Sequence, residues 1–194
     1  SPPAKPRRYA LYFPHVDCTG GWDTEITLTY TIDGAPILGE LAAYSRNGGA
    51  PAATLAVTLP AASSRRIQPC REMAGAANFA YLKFAADSGF MAGFATLPRQ
   101  DVSARINATP ALRGPKEGVL GIPEAQAEAA LGFVNLEAAS AAVTVAAYSE
   151  TGVRLAGATL TLAAGEKVSG TPDALVPGLN RAAAAYLKFE ATRR

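Results

Sequence analysis

The chain has 194 residues, 49% of them hydrophobic, and its 18 Lys and Arg against 16 Asp and Glu leave a net charge of +2. Both signs are spread evenly, so there is no basic field to hold a nucleic-acid backbone. No run reaches the roughly 20 apolar residues of a membrane-spanning helix. Much of the apolar content is small, since 42 residues are alanine and one is tryptophan.

In chain order, residues 1–8 are Pro-rich and read as a linker or tail, with no signal peptide in Ser1-Pro2-Pro3-Ala4-Lys5-Pro6. Asp23 to Ile32 alternates polar and apolar, placing Ile26, Leu28, Tyr30 and Ile32 on one face of a half-buried strand. Leu38–Tyr44 and Thr54–Leu59 follow as strands, joined through Arg46-Asn47-Gly48-Gly49, whose glycines tolerate positive φ. Phe79–Phe84, Gly89–Leu97 and Val102–Ala108 complete a set of short strands over residues 9–110. The pattern predicts an all-β fold, an immunoglobulin-like or related β-sandwich.

The second part of the chain repeats the first. Ala80-Tyr81-Leu82-Lys83-Phe84 recurs as Ala185-Tyr186-Leu187-Lys188-Phe189, and Ala42-Ala43-Tyr44-Ser45 as Ala146-Ala147-Tyr148-Ser149. Val57-Thr58-Leu59 aligns with Leu160-Thr161-Leu162, and Ile26–Tyr30 with Leu131–Asn135. A domain-sized spacing implies tandem duplication, not a solenoid. Residues 111–118 are then a linker and 119–194 a second β-sandwich copy, cut short by up to two C-terminal strands. Glu124–Leu131 and Arg181–Ala191 are rich in helix formers. The repeat overrides propensity for Ala183–Phe189, which is expected to be a strand, while Glu124–Ala130 is expected as a loop or short helical turn. The missing strands predict an open sheet edge at Ala184–Phe189. Its expected cover is Arg8–Phe13, Val102–Ala108 or a second chain.

Tyr12-Phe13-Pro14-His15-Val16 followed by Trp22-Asp23-Thr24-Glu25-Ile26 resembles a tandem β-sandwich repeat, of a Phe-Pro-His and Trp-x-Thr-Glu-Ile type, found in secreted and surface proteins of bacteria. Ala42–Ser45, Asn47–Gly49 and Gly93-Phe94 continue the likeness, which spans most of residues 9–110 and is weaker over 119–189, where the His and Trp are absent. The resemblance implies fold and an exported location. It carries over no catalytic or ligand residue.

Chemistry-bearing residues are sparse. A single histidine, His15, rules out two-histidine metal motifs and weakens a triad, and Ser45, Ser63 and Ser64 sit in no nucleophile elbow. Asp17, Asp23 and Glu25 cluster without a calcium-loop pattern, and nothing fixes a glycosidase-like carboxyl separation. Gly20-Gly21 and Gly48-Gly49 read as turns, not phosphate cradles, and Asn107-Ala108-Thr109 as a chance acceptor pattern. Cys18 and Cys70 lie in loops without Cys-x-x-Cys spacing. A disulfide between them would close a loop of about 50 residues, contribute about 4 kcal/mol and agree with export; two free thiols are the alternative.

The expectation is a non-enzymatic structural or interaction module, adhesin-like or accessory, of an exported bacterial protein, extracellular or periplasmic, with no cofactor or metal. Its partners would be a protein or polysaccharide at the cell surface. The alternative is a carbohydrate-binding module built on Trp22 with Tyr9, Tyr12 and Tyr30, beside Asp17 or Asp23. Against it stands the plainer role of Trp22 as a core plug.

Overall fold

The computed structural model of the chain describes residues 9–98, 105–110, 114–122 and 130–193. It divides into two compact units, Ser1–Arg113 and Gly114–Arg194. The expected tail at 1–8 and the expected loop or helical turn at Glu124–Ala130 lie outside the described residues, save for Ala130.

Unit 1 holds eight strands: β1 (Tyr9–Phe13), β2 (Glu25–Tyr30), β3 (Ile37–Tyr44), β4 (Ala53–Leu59), β5 (Ser63–Ile67), β6 (Tyr81–Ala86), β7 (Met91–Pro98) and β8 (Arg105–Pro110). A one-turn helix α1 (Pro69–Glu72) and a 3-10 turn (Ala76–Asn78) bridge β5 to β6. All pairings are antiparallel, in two four-stranded sheets of order β1-β6-β3-β4 and β5-β2-β7-β8. Period-two alternation turns Ile26, Leu28 and Tyr30 of β2 inward, where they meet Leu41, Leu82 and Phe84 of the other sheet in one buried core. Ile32, expected on that face, lies past the strand's end and is 39% exposed. Phe79, expected to begin a strand, instead caps the 3-10 turn and is buried there.

Turn chemistry fits the expected hairpin. Gly48 and Gly49 between β3 and β4 have φ of 72° and 87°, which only glycine adopts without strain, and Gly48 N–H donates to Ser45 O at 3.2 Å. Cys18 and Cys70 form a disulfide, tying the loop between β1 and β2 to α1.

Unit 2 holds β9 (Glu117–Gly121), β10 (Leu131–Val134), β11 (Ala141–Tyr148), β12 (Arg154–Leu162), β13 (Lys167–Gly170), a one-turn helix α2 (Pro172–Leu175) and β14 (Tyr186–Ala191). One sheet has the order β12-β11-β14-β9, and among the described residues β10 pairs only with β13. Glu117 and Gly118, expected in a linker, open β9. The helix formers of Arg181–Ala191 yield a turn at 181–183 and then a strand, because Leu187 is buried between neighbours on both sides. Here the expected open edge is misplaced. β14 is a central strand flanked by β11 and β9, so the backbone of Tyr186–Glu190 is paired on both sides. Of the two intramolecular covers proposed for it, the described parts are engaged in unit 1, where β1 pairs with β6 and β8 with β7, while Arg8 and residues 102–104 lie outside the described residues.

The two units share strand order and register. In unit 1 Leu82 lies opposite Phe13 and Ala43; in unit 2 Leu187 lies opposite Leu120 and Ala147. Gly39 opposite Val57 has its parallel in Val143 opposite Leu160, and Ile26 opposite Ile67 in Leu131 opposite Gly170. Each unit also places a one-turn helix beginning with proline right after its fifth strand. Among the described residues, unit 2 has no strand in the places of β7 and β8.

Candidate functional site

The loop between β1 and β2 holds most of the residues singled out in the sequence, and it is tied down internally. Asp17 Oδ1 accepts hydrogen bonds from Thr19 N–H at 2.9 Å and from Thr19 Oγ1 at 2.8 Å, an Asx-type turn. Thr24 is wholly buried; its Oγ1 donates to Asp17 O at 2.9 Å and lies 2.8 Å from Asp17 N. Thr24 N–H points at Cys70 Sγ, 3.2 Å away, so the disulfide and the threonine fasten the loop at one place. Asp23, 7% exposed, pairs through Oδ2 with Arg71 of α1 at 2.6 Å, while its Oδ1 is buried with no hydrogen-bond partner. Glu25 pairs with Arg66 at 3.2 Å. The three acids considered for calcium or glycoside chemistry thus turn to three different partners.

The aromatic platform is not assembled as expected. Tyr30 turns inward with Ile26 and Leu28 and is 6% exposed, because all three share one face of β2. Tyr12 lies on β1 with Lys83 Nζ 5.9 Å from its ring centroid, a cation–π contact. Tyr9 is exposed and lies against Gly89. Trp22 is half-buried in the disulfide-tied loop, next to Asp23. The candidate serines serve turns and strand pairs: Ser45 reaches Gly48 O, Ser63 donates to Pro60 O at 2.7 Å, and Ser64 meets Thr29 Oγ1 at 2.8 Å.

A second feature lies on the sheet faces turned away from the core. Tyr44 on β3 and Tyr81 on β6 are opposite one another and stack, with ring centroids 4.9 Å apart and planes within 4°. Burial, with Tyr44 and Tyr12 beside it, pushes the Tyr81 phenol up to about 12. Burial and the nearby Glu40 raise Tyr44 as well. Unit 2 repeats the arrangement: Tyr148 on β11 lies opposite Tyr186 on β14, stacked at 5.3 Å and within 9°. Next to it an open hollow of about 130 Å³ is lined by Thr144, Ala146, Arg154 and Lys188 among others. Sequence reasoning missed both pairs, although each tyrosine stands inside a repeated motif. Pairing the two motifs needs the β3–β6 ladder register, which the sequence does not display.

Comparison with family models, with curated protein sequences and with solved structures finds no match to this chain.

Proposed function

We propose that the chain is a pair of copies of one β-sandwich module, acting as a non-enzymatic interaction or structural domain pair of an exported bacterial protein. The single observation that carries the reading is the shared ladder register, down to a stacked tyrosine pair at the same crossing of each unit. Registers in antiparallel sheets are set by which residues face the core. Two unrelated sheets have no reason to agree at several ladders and in a cross-strand ring stack at once.

Export is supported by the Cys18–Cys70 disulfide, since such bonds persist in oxidising compartments, and by the resemblance to a secreted bacterial repeat. A role without catalysis is supported by the use of Asp17, Asp23, Glu25 and the candidate serines as structural partners. Fractionating the producing cells tests the reading. The chain should be recovered outside the cytoplasm with Cys18 and Cys70 bridged, its mass rising by two hydrogens on reduction. Recovery in the cytoplasm with both thiols free would overturn it.

One observation favours carbohydrate binding as a second reading. Trp22 stays half-buried in the disulfide-tied loop, and a partly exposed aromatic face suits a sugar ring. Polysaccharides should then shift or quench the emission of the only tryptophan. Unchanged emission across a polysaccharide panel removes this reading.

A further inference from the structure

We propose that the outward face of the unit 2 sheet binds one uronate residue of an acidic polysaccharide, in the hollow between Arg154 and Lys188. The site is separate from the Trp22 loop of unit 1. It goes beyond the interaction reading by naming a ligand class, and it stands on the ladders of unit 2 whether or not the two units are copies.

Those ladders build the hollow. On the outward face, Arg154, Tyr148 and Tyr186 make one row across β12, β11 and β14, because a bulge after Ala147 sets Arg154 opposite Tyr148. The next row is Gly157, Ala146 and Lys188, and the third is Thr159, Thr144 and Glu190. Gly157 and Ala146 put no bulk in the middle row. The backbone there floors an open hollow of about 130 Å³, walled by Tyr148, Arg154, Thr144, Lys188 and Glu190. The glycine is needed, since a Cβ at Gly157 would collide with Arg154 Nη2; the guanidinium lies across it. Arg154 and Lys188 are both exposed, and among the described residues neither forms an ion pair. Tyr148 is held by its stack on Tyr186.

Unit 1 uses the matching positions differently. Lys83 stands over the Tyr12 ring, Thr54 takes the place of Gly157, and β4 is uncharged throughout. In unit 2 the ladder place of Tyr12 belongs to Val119, so β9 offers Lys188 no ring. Both cations of unit 2 are thus left to the hollow.

The mixture of groups selects the occupant. The hollow is smaller than the roughly 300 Å³ at which sites for drug-sized ligands begin, so it takes a single small ring. A planar guanidinium matches a carboxylate in bidentate fashion, and the ammonium of Lys188 adds a second donor. Tyr148 offers an apolar body for the C–H face of a pyranose and a hydroxyl at its tip. Two cations against Glu190 leave one positive charge, which answers the single carboxylate of a uronate. Glu190 and Thr144 then accept from the ring hydroxyls. An acidic peptide fits less well, because its side chains bring no hydroxyls to Glu190 and meet it as a like charge.

The test titrates the full chain with tetrasaccharides of galacturonate, mannuronate and glucuronate, followed by amide NMR. At least one should bind saturably, shifting amides of Tyr148, Arg154, Gly157 and Lys188. Its methyl ester, which lacks the charge, should bind at least about tenfold more weakly, as should Arg154→Ala and Lys188→Ala with the free acid. Gly157→Thr, which installs the unit 1 residue and displaces the guanidinium, should weaken binding as well. Lys83→Ala should leave it unchanged. Arg154 and Lys188 are exposed, so both alanine variants should keep the unit 2 spectrum even if Gly157→Thr disturbs the sheet. Absence of binding by all three acids overturns the proposal. So does equal binding of the methyl ester or of tetraglutamate, or binding that survives both alanine substitutions. Shifts confined to the Trp22 loop also overturn it, and assign sugar recognition to unit 1 instead.

Discussion

At matching ladder positions, Phe84 of unit 1 is wholly buried while Phe189 of unit 2 keeps part of its ring exposed. Each ring lies over a glycine, but on opposite sides. Phe84 occupies the space a side chain at Gly39 of β3 would need, where unit 2 has Val143. Phe189 leans instead over Gly118 of β9, where unit 1 has Leu11, and meets Phe133 edge-on at 5.5 Å. Each unit makes room for one large ring, and either flanking strand can supply the room. The ladder fixes where the ring starts; what lies across the interior fixes how deeply it is buried.

Truncating the two rings gives the largest contrast. Phe84→Ala should cost unit 1 about 3–5 kcal/mol, as for a fully packed core aromatic. Phe189→Ala should cost unit 2 about half as much, because less area is lost from an already open site. Urea denaturation followed on NMR signals of each unit separates the two, and equal losses would erase the contrast.

The disulfide belongs to unit 1 alone. Cys18→Ala with Cys70→Ala should lower the stability of unit 1 by about 2–5 kcal/mol and leave the unit 2 transition in place. A matching drop in unit 2 would mean that the units do not unfold separately.

The glycines sharpen the comparison on a finer scale. Gly39→Val installs the residue unit 2 carries at this position, but its side chain meets a ring with nowhere to go, for a loss of about 1–3 kcal/mol. Gly118→Val also approaches a ring, with the added Cβ 2.7 Å from Phe189 Cε1. That ring borders open space and can swing aside, so the loss should be smaller. The reverse order would show that Phe189 is the more confined ring.

The smallest effect is a pH dependence. With its phenol raised from 10.0 to about 12, Tyr81 keeps its proton in the folded chain over a range where the unfolded chain gives it up. Stability from this group is complete below pH 10 and is lost as pH rises from 10 through 12. Tyr81→Phe should flatten that part of the stability curve and remove a late tyrosinate step from absorbance at 295 nm. An unchanged titration would contradict the burial of this phenol.

Much of the β architecture is legible in residue alternation, and the reasons for the gaps are local. Ile26, Leu28 and Tyr30 mark β2 because a half-buried strand must alternate. β5, Ser63-Ser64-Arg65-Arg66-Ile67, escapes notice because it is an edge strand held chiefly by its ladder with β2, with only Ile67 fully buried. β14 reads as helix by propensity and becomes a strand through partners that are remote in sequence. The sequence locates the loop around Cys18, Trp22 and Asp23 but not the Asp23–Arg71 pair, which depends on how α1 docks. It expects an unpaired edge at β14, which is in fact paired on both sides. Repeat counting points to an edge at Ala184–Phe189, whereas sheet order, among the described residues, leaves β10 with one partner strand.

The most direct measurement is amide hydrogen exchange of β2 and β10 in one sample of the monomeric chain. Among the described residues two ladders flank β2 and one flanks β10, so amides within Glu25–Tyr30 should all exchange slowly, whereas those of Leu131–Val134 that face away from β13 should exchange fast. Uniformly slow exchange along both strands would contradict the account, since β10 would then have a second partner and the two units would not differ in the way described.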